Sequence, residues 1–172
     1  KIVVLEHSQA VTAYALEKVQ DELYDAGATY VVMGESEERS IDLLRHIKKQ
    51  SNDNELLSID GIGFKKDGII KYTPSTTKIK DLDALAFPAW ELFPLNNYWK
   101  LRYSHGPLSS KRYLPILTSR GCPYACRFCV IPETNDLKWR ARSAQDVINE
   151  IEYWVNKWDI REFHIEDVDP TI

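Results

Sequence analysis

The amino-acid sequence predicts an α/β fold class. Short β-branched runs alternate with amphipathic helical stretches in residues 1–50, and the same order returns in residues 114–172. Residues 51–113 between them are rich in proline and aromatic side chains and show no sustained periodicity. We therefore divide the 172-residue chain into two α/β segments, 1–50 and 114–172, joined by an ordered connector, 51–113.

Composition and charge argue against several classes of protein. With 44% hydrophobic and 28% charged residues, the chain has the make-up of a folded globular protein. A formal net charge of -4 gives no basic field, so nucleic acid is not a predicted partner. No apolar run approaches the ~18 residues of a membrane helix, so no membrane span is predicted. Three cysteines crowded into residues 122–129 indicate a reducing compartment, and we expect a cytoplasmic location.

The first segment has the pattern strand, helix, strand, helix. "KIVVL" predicts a buried strand, and the following helix runs from an N-cap at Ser8 to a left-handed C-cap at Gly27. "TYVVM" predicts a second strand, which leads through Gly34 into a helix over residues 35–49. The apolar faces comprise Thr12, Leu16, Val19, Leu23 and Ala26 in the first helix and Leu43, Leu44 and Ile47 in the second. This order implies a parallel sheet with helices on its faces.

The connector begins with a hairpin signal. "LLSIDGIGF" and "IIKYT" flank a turn that ends in Asp67-Gly68, a dipeptide typical of two-residue hairpin loops. The rest of the connector carries too many large apolar side chains to stay solvated, so we expect it to be packed. Its aromatic residues are interpreted as part of that packing rather than as a substrate cage. They include Trp90, Phe93, Tyr98 and Trp99.

The last segment predicts a strand, a helix and a second strand. "LPILTS" is a strand that runs directly into the cysteine-containing loop. Beyond the loop, Ser143 with Asp146 three residues later predicts a capped helix start. "EFHIED" is the strand that follows this helix. The wide apolar face of the helix comprises Val147, Ile148, Ile151, Trp154, Val155 and Trp158.

Cys122, Cys126 and Cys129 form a C-x3-C-x2-C pattern. A zinc site usually takes four ligands, and neither a fourth cysteine nor a suitably spaced histidine accompanies these three. Bacterial ferredoxin loops use C-x2-C-x2-C with a further cysteine, so they do not fit. Three thiolates can hold three irons of a 4Fe-4S cluster and leave one iron open to a non-protein ligand. Structural thiols or an incomplete zinc site are the alternatives.

The loop resembles the signature of the radical S-adenosylmethionine enzymes. The shared features are the cysteine spacing, the preceding strand, Gly121 before the first cysteine and Phe128 before the third. The resemblance implies that Cys122, Cys126 and Cys129 ligate a 4Fe-4S cluster whose open iron binds S-adenosylmethionine. The reduced cluster would cleave S-adenosylmethionine to a 5'-deoxyadenosyl radical, and Phe128 would lie near the adenine.

Longer stretches resemble the subgroup of these enzymes that carries a cobalamin-binding domain ahead of the catalytic barrel. They are "YVVMGESEERSIDLL", "GCPYACRFCVIPETNDLKWRARSAQDVINEIEYW" and "REFHIEDVDPTI". The resemblance implies that residues 1–50 are the C-terminal half of a doubly wound, cobalamin-binding-like Rossmann domain, and that residues 114–172 supply the first βαβ unit of a partial barrel. The Asp-x-His-x-x-Gly loop that often offers histidine to cobalt does not occur in the sequence. His7 is the nearest histidine, and it is either a loop residue at a strand end or a ligand.

Three carboxylates, Glu166, Asp167 and Asp169, lie at the end of the last predicted strand. The family places a polar residue just beyond this strand to bind the amino group of S-adenosylmethionine, and Asp169 before Pro170 matches that position best. Strand alternation turns Asp167 toward the helices with the apolar residues of the strand, and it turns Glu166 inward. A solvated acidic strand end is the alternative for each residue.

Two charged clusters have several interpretations. The basic cluster in "KWRARS" fits a packed tryptophan among solvated cations, an RNA contact, or a site for a substrate carboxylate or phosphate. Its members are Lys138, Trp139, Arg140 and Arg142. Glu35 and Glu37 either favour the N-terminus of the second helix electrostatically or contact a cofactor.

The sequence as a whole predicts part of a radical S-adenosylmethionine enzyme. We expect a 4Fe-4S cluster, S-adenosylmethionine and cobalamin in the intact protein, and methyl transfer or oxidative ring formation on a small-molecule substrate. A flavodoxin or ferredoxin is the expected electron donor. A methylthiotransferase-like enzyme, which would need a second cysteine triplet, and a non-catalytic metal-binding module are the alternatives. Because one βαβ unit is only a part of such a barrel, we expect the isolated 172 residues to be inactive.

Overall fold

A computed structural model describes residues 4–6, 20–49, 52–102, 106–132 and 137–172. The chain forms two compact units. The first consists of Lys1–Ile79 with Tyr124–Asp136, and the second of Lys80–Pro123 with Leu137–Ile172. Each unit combines helices and strands around hydrophobic core residues of its own. No helix in the described ranges is long and apolar enough to cross a membrane.

The first unit is built on a four-stranded sheet of order β1-β2-β3-β4. Its described elements are β1 (Val4–Glu6), α1 (Gln20–Asp25), β2 (Tyr30–Val32), α2 (Ser36–Lys49), α3 (Asp53–Leu56), β3 (Ile62–Lys66) and β4 (Ile69–Tyr72). Strands β1 and β2 are parallel, as predicted, and β3 and β4 join them in antiparallel fashion.

The predicted hairpin is confirmed. Lys66 pairs with Ile69, and the two residues between them, Asp67 and Gly68, have φ values of 51° and 76°. Positive φ at both loop positions is what a two-residue hairpin turn requires, and Asp-Gly tolerates it well. From the sequence, this hairpin is predicted to lie in the connector, whereas in the structure β3 hydrogen-bonds to β2 and so extends the sheet of the first unit.

Both faces of this sheet are covered by helices. Val31 and Val32 point to opposite faces, and both are fully buried. Val32 lies in a cluster with Leu43 of α2, while Val31 lies in a cluster with Tyr24 of α1. The glycine stop predicted for α1 is confirmed, since Gly27 has a φ of 105°.

The apolar faces predicted for the two helices are partly wrong. Leu44 is 59% exposed, because the buried stripe of α2 follows Leu43 and Leu44 is turned about 100° away from it. Ala26 is exposed, and Tyr24 is buried in the core although the prediction omitted it, while Leu23 packs against the same cluster as predicted. The other members of the first predicted face, Thr12, Leu16 and Val19, lie outside the described residues.

Arg39 occupies a buried position of α2, and only 4% of it is exposed. Its guanidinium donates to the carbonyl oxygens of Met33 (2.6 Å), Glu35 (3.1 Å) and Thr77 (2.7 Å), and it forms an ion pair with Asp60. One side chain therefore ties together the end of β2, the start of α2 and the segment that follows β4. Burial is tolerated because most of the donors of the guanidinium find acceptors.

Glu35, the first of the two carboxylates predicted to act at the start of α2, is buried. Its Oε2 accepts a hydrogen bond from the backbone N–H of Ile79 at 2.7 Å. The side chain thus holds the segment after β4, a role that neither of the two sequence-based interpretations includes. Glu37 lies in the first turn of α2, where a negative charge suits the helix dipole.

The second unit contains a parallel pair of strands and a short antiparallel pair. Its described elements are a 3-10 helix (Trp90–Leu92), α4 (Leu95–Leu101), β5 (Tyr113–Ile116), β6 (Ser119–Arg120), β7 (Arg140–Ala141), α5 (Ala144–Trp158) and β8 (Glu162–Ile165). Strand β5 is parallel to β8, and β6 is antiparallel to β7. The predicted strand–helix–strand unit is therefore confirmed, with Ser143 capping α5 by accepting from the backbone N–H of Asp146 at 3.1 Å.

The core of the second unit lies between β5, β8 and α5. Leu114, Trp154 and Ile160 are almost fully buried in it. Phe163 packs against this core as predicted, whereas Ile165 at the end of the same strand is exposed. Of the apolar face predicted for α5, Trp154 is buried and Ile148 is exposed. Residues of the connector also pack here, namely Trp90, Leu95 and Trp99.

Replacing Arg39 with methionine should lower the free energy of unfolding by about 3 kcal/mol, because Asp60 and the carbonyl of Met33 lose their buried donor. Arg45→Met on the same helix is the control, since Arg45 forms only an exposed pair with Asp42 and should cost less than about 1 kcal/mol. Urea denaturation and hydrogen exchange of the β2 amides measure both. Equal losses in the two variants would contradict a special role for Arg39.

Candidate metal and cofactor site

The cysteine loop begins directly after β6. Ser119 and Arg120 pair with Ala141 and Arg140 of β7, which fixes the direction of the chain just before the first cysteine. Gly121 follows with a φ of 87°, a value that residues with a Cβ rarely adopt. The prediction that the loop directly follows strand structure is therefore confirmed, and the glycine before Cys122 has a conformational reason.

The three cysteines are free thiols on an accessible loop. Cys122 and Cys129 are half-buried and Cys126 is exposed. The backbone N–H of Cys129 donates to the carbonyl of Cys126 at 3.0 Å, so a tight turn joins the second and third cysteines. Within the described part of the chain, no three Cys, His, Asp or Glu side chains are gathered closely enough to hold a metal ion. The donor set fits an iron–sulfur cluster by type and accessibility, and binding requires the loop to bring its sulfur atoms together.

Two aromatic residues of this loop are open to solvent. Phe128 is 94% exposed and Tyr124 is also exposed. A phenyl ring with so little packing contributes little to the stability of the fold. The contact between Phe128 and an adenine stays a prediction, and the exposure of the ring leaves its faces available for one.

The carboxyl ends of β5 and β8 lie side by side. Ile116 pairs with Ile165, and the backbone N–H of Glu166 donates to the carbonyl of Ile116 at 3.0 Å. The carboxylates predicted to follow β8 are thus held beside the point where β5 ends. In α/β folds this edge of the sheet is where ligands bind.

The side chain of Asp167 links the chain after β8 to the chain after β5. Its carboxylate accepts hydrogen bonds from the backbone N–H of Thr118 at 2.7 Å, from the hydroxyl of Thr118, and from the hydroxyl of Ser119 at 2.7 Å. Three donors from the chain itself occupy the carboxylate. These contacts give Asp167 a structural role, and its contact with S-adenosylmethionine stays a prediction.

Asp169 and Glu166 lie just beyond the end of β8. Oδ1 of Asp169 accepts from the backbone N–H and the hydroxyl of Thr171, at 3.3 and 3.1 Å, so the carboxylate is oriented by a local turn. Glu166 lies on the face of β8 opposite to Phe163 and lines a cavity together with His164. The inward direction expected for Glu166 agrees with this position. His7 and His105 lie outside the described residues.

Arg142 of the basic cluster forms hydrogen bonds within the fold. Arg142 donates to Asp146 at 2.7 Å, to the carbonyl of Leu117 at 2.9 Å, and to the buried carboxylate of Glu150. Lys138 is exposed, and Trp139 is half-buried. Because Arg142 is held by acidic partners, the cluster offers less positive surface than its sequence suggests, and the choice among its three interpretations stays a prediction.

A hydrogen-bond network surrounds Glu162, and the predictions made from the sequence do not include it. Its Oε1 lies 2.8 Å from Nε2 of His164, and its Oε2 accepts from the backbone N–H groups of Ser109 and Ser110 at 2.9 and 2.5 Å. The hydrogen bond with His164, followed by those from Ser110 and Ser109, lowers the pKa of Glu162 from 4.5 to about 2. The available signal was the i, i+2 spacing of Glu162 and His164, which places both on one face of a strand.

Two curated proteins resemble the chain over most of its length. Cytidylyl-2-hydroxyethylphosphonate methyltransferase of Streptomyces wedmorensis is 28% identical over 167 residues, which cover 84% of this chain and 31% of that protein. Anaerobic magnesium-protoporphyrin IX monomethyl ester cyclase of Synechocystis sp. is 31% identical over 143 residues, which cover 83% of this chain and 26% of that protein. The chain therefore spans less than a third of the length of either relative. No family model matches the sequence.

Solved structures share the fold. The cobalamin-dependent S-adenosylmethionine radical enzyme OxsB, determined with aqua-cobalamin and S-adenosylmethionine, superimposes with a TM-score of 0.68 at 18% identity, over 98% of this chain and 21% of that one. The radical S-adenosylmethionine methyltransferase TsrM of Kitasatospora setae, determined with cobalamin and a [4Fe-4S] cluster, gives a TM-score of 0.55 at 20% identity, over 86% and 28%. The α/β fold of this chain is thus the fold of part of these enzymes.

The Glu162 network should make stability depend on acid. The folded-state pKa of Glu162 lies below its ordinary value of 4.5, so the contribution to stability is complete above about pH 4.5 and is lost as the pH falls toward 2. Glu162→Gln should remove this part of the pH dependence, while Glu152→Gln on the exposed side of α5 should leave it unchanged. Urea unfolding between pH 3 and 6 compares them. Parallel curves for all three proteins would disprove the role of the network.

Proposed function

We propose that this chain, which is a relative by sequence and by fold of the radical S-adenosylmethionine enzymes with a cobalamin-binding domain, holds a 4Fe-4S cluster on Cys122, Cys126 and Cys129. One observation carries the proposal: three free cysteines lie on one accessible loop directly after a strand of this fold. When bound, the cluster would supply the electron that cleaves S-adenosylmethionine to a 5'-deoxyadenosyl radical.

Different residues of the chain contact different parts of S-adenosylmethionine. Three thiolates leave one iron of a four-iron cluster without a protein ligand, and that open position suits the amino and carboxylate groups of S-adenosylmethionine. Asp169, oriented by Thr171 beyond the end of β8, accepts from the amino group. Phe128, with its exposed ring, contacts the adenine. Hydrogen bonds from N–H groups to a carboxylate are strong enough to orient the ligand.

The reaction is methyl transfer or ring formation on a small-molecule substrate. Methyl transfer is supported by the methyltransferase among the curated relatives, and ring formation by the cyclase. Cobalamin is proposed as the second cofactor, because the OxsB and TsrM structures described above were determined with it. The sheet of the first unit would contribute to that site. A flavodoxin or a ferredoxin is the proposed class of electron donor.

The intact protein, purified anaerobically, should contain about four irons and four sulfides per chain, and replacing any one of the three cysteines with alanine should abolish this content. Tyr124→Phe in the same loop is the control and should retain it, since Tyr124 is exposed and is not a thiol ligand. Iron and sulfide analysis with the optical spectrum provides the measurement. Release of 5'-deoxyadenosine on reduction with S-adenosylmethionine present should follow the same pattern.

Several outcomes would contradict parts of this proposal. A cysteine variant that keeps the cluster spectrum and the parent rate of S-adenosylmethionine cleavage would disprove the ligand set. Bound zinc without sulfide would favour a non-catalytic metal-binding module. An active protein that contains no cobalamin would remove the cobalamin part of the proposal and leave the cluster in place.

Replacing Asp169 with alanine should weaken S-adenosylmethionine binding by about 1.5 to 3 kcal/mol, the value of one hydrogen bond to a charged group, and should leave the iron content unchanged. Thr171→Val is the matched control, because it removes the hydroxyl partner of Asp169 but keeps the carboxylate. Equilibrium binding to the cluster-loaded intact protein measures both. An unchanged dissociation constant in the Asp169 variant would assign the amino group to another residue.

A further inference from the structure

A groove of about 730 Å³ lies in the second unit, where α5 ends and β5 and β8 begin. Arg112, which directly precedes β5, and Asp159, which caps the end of α5, both line it. The backbone N–H of Arg161 donates to the carbonyl of Arg112 at 3.3 Å, so the amino ends of the two strands meet here. Asp169, by contrast, lies beyond the carboxyl end of β8. A volume of this size is that of a small-molecule site.

Aromatic rings form the apolar wall of this groove. They belong to Trp90, Phe93, Trp99 and Trp158. The three tryptophans also pack against the Trp154 core, which holds them in place, whereas Phe93 is 52% exposed. Trp99 is fixed further by the hydrogen bond of its Nε1–H to the carbonyl of Tyr113 at 2.8 Å, and the centroids of the Trp90 and Phe93 rings lie 5.6 Å apart, edge to face. Rings that a core already orders keep the entropic cost of binding low.

The lining and its ion-pair partners carry one uncompensated positive charge. Among the described residues that line the groove, four are charged, and three of them form ion pairs. Lys157 pairs with Glu91 at 3.3 Å, and Asp159 pairs with Arg161. Arg112 forms no ion pair with any described residue. Because the two pairs are neutral overall, the charge of Arg112 favours an anion in the groove.

The guanidinium of Arg112 is held in place but keeps free donors. Its Nη1 donates to the carbonyl of Trp158 at 2.8 Å, and its Cζ lies 5.9 Å from the centroid of the Trp99 ring. Its Nε and Nη2 donate to no group in the described part of the chain. These two nitrogens form one edge of the planar guanidinium, and such an edge can bind both oxygens of a carboxylate. A fixed arginine with a free edge, beside aromatic rings, suits an apolar carboxylate.

We propose that this groove binds a small carboxylate with a planar apolar body. The carboxylate pairs with Nε and Nη2 of Arg112, and the body lies against Phe93 and the indole rings. The amide side chains of Asn96, Asn97 and Asn156 line the same groove and supply neutral donors and acceptors for further polar groups of the ligand. This inference goes beyond the proposed function, because such binding requires neither the cluster nor S-adenosylmethionine.

The test compares three probes that share one ring system and differ in charge: 1-naphthoate, 1-naphthalenemethanol and 1-naphthylmethylamine. Anaerobic calorimetry on the intact, cluster-loaded protein, without S-adenosylmethionine, should show naphthoate binding at least about tenfold more tightly than the alcohol, and the amine most weakly. Arg112→Gln should bring naphthoate and the alcohol within about threefold of each other. Lys111→Gln is the matched control, because it removes the same charge from the adjacent exposed residue, which does not line the groove, and it should keep the preference for naphthoate.

Two further variants separate the ring surface and the planar guanidinium from the net charge. Phe93→Ala should weaken all three probes by a similar factor and preserve their order, because the phenyl ring contacts the shared body. Arg112→Lys keeps the charge but not the planar pair of donors, so its preference for naphthoate should lie between those of the parent and Arg112→Gln. Phe93 and Arg112 are both exposed, so these variants should fold, and urea denaturation checks that they do.

A carboxylate is also a ligand for iron, so a cysteine variant distinguishes the groove from the cluster. Cys126 is exposed and does not line the groove, and Cys126→Ala, which should lack the cluster, should retain the preference for naphthoate. Loss of the preference in Cys126→Ala, absence of probe binding to the parent protein, preference for the amine, or an unchanged preference in Arg112→Gln would each overturn the inference. A parent protein that prefers naphthoate but assembles no cluster would disprove the proposed function alone.

Discussion

The carboxylate of Asp167 is the contact on which the candidate site depends. By accepting from Thr118 and Ser119, it joins the residues that follow β8 to the residues that follow β5. Hydrogen bonds to a carboxylate are stronger than those between neutral groups, so this contact fixes the spacing of the two strand ends well. The cysteine loop starts three residues after Ser119, and Asp169 follows Asp167 by two residues. Both predicted cofactor elements therefore begin from a position that one side chain defines.

Arg142 also holds the segment between β5 and β6. Its guanidinium donates to the carbonyl of Leu117, and its backbone N–H donates to the carbonyl of Thr118 at 2.9 Å. The guanidinium is itself held by Asp146 and Glu150 of α5. A partly buried arginine with two acidic partners is costly to desolvate, and here it connects α5 to the segment between β5 and β6. The second unit thus uses charged groups, and not only its core, to hold the residues that precede Cys122.

Aromatic residues of the connector pack on the core of the second unit and also line a cavity, and their composition alone does not distinguish the two roles. Trp90, Leu95 and Trp99 pack against the Trp154 core, which accounts for part of their apolar surface. The same residues, with Phe93 and Tyr98, also line the cavity beside His164 and Glu166. Aromatic residues suit both purposes, because a large rigid ring can bury one face in a core and present the other to a ligand. The expectation of packing was correct for the tryptophans and incomplete for the group as a whole.

By itself the sequence determined the α/β class, the hairpin at Asp67-Gly68, the capped start of α5 at Ser143 and the cysteine loop, because each depends on local periodicity, turn chemistry or spacing. Only the tertiary structure decided which polar groups are structural. Arg39 pairs with Asp60, Asp167 accepts from Thr118, and Arg142 donates to Leu117. The partners in each pair lie far apart in the sequence, so no local pattern predicts the contact. The exposed Leu44 and the aromatic cavity were likewise decided by packing between elements, since burial depends on which neighbours the fold brings to a face.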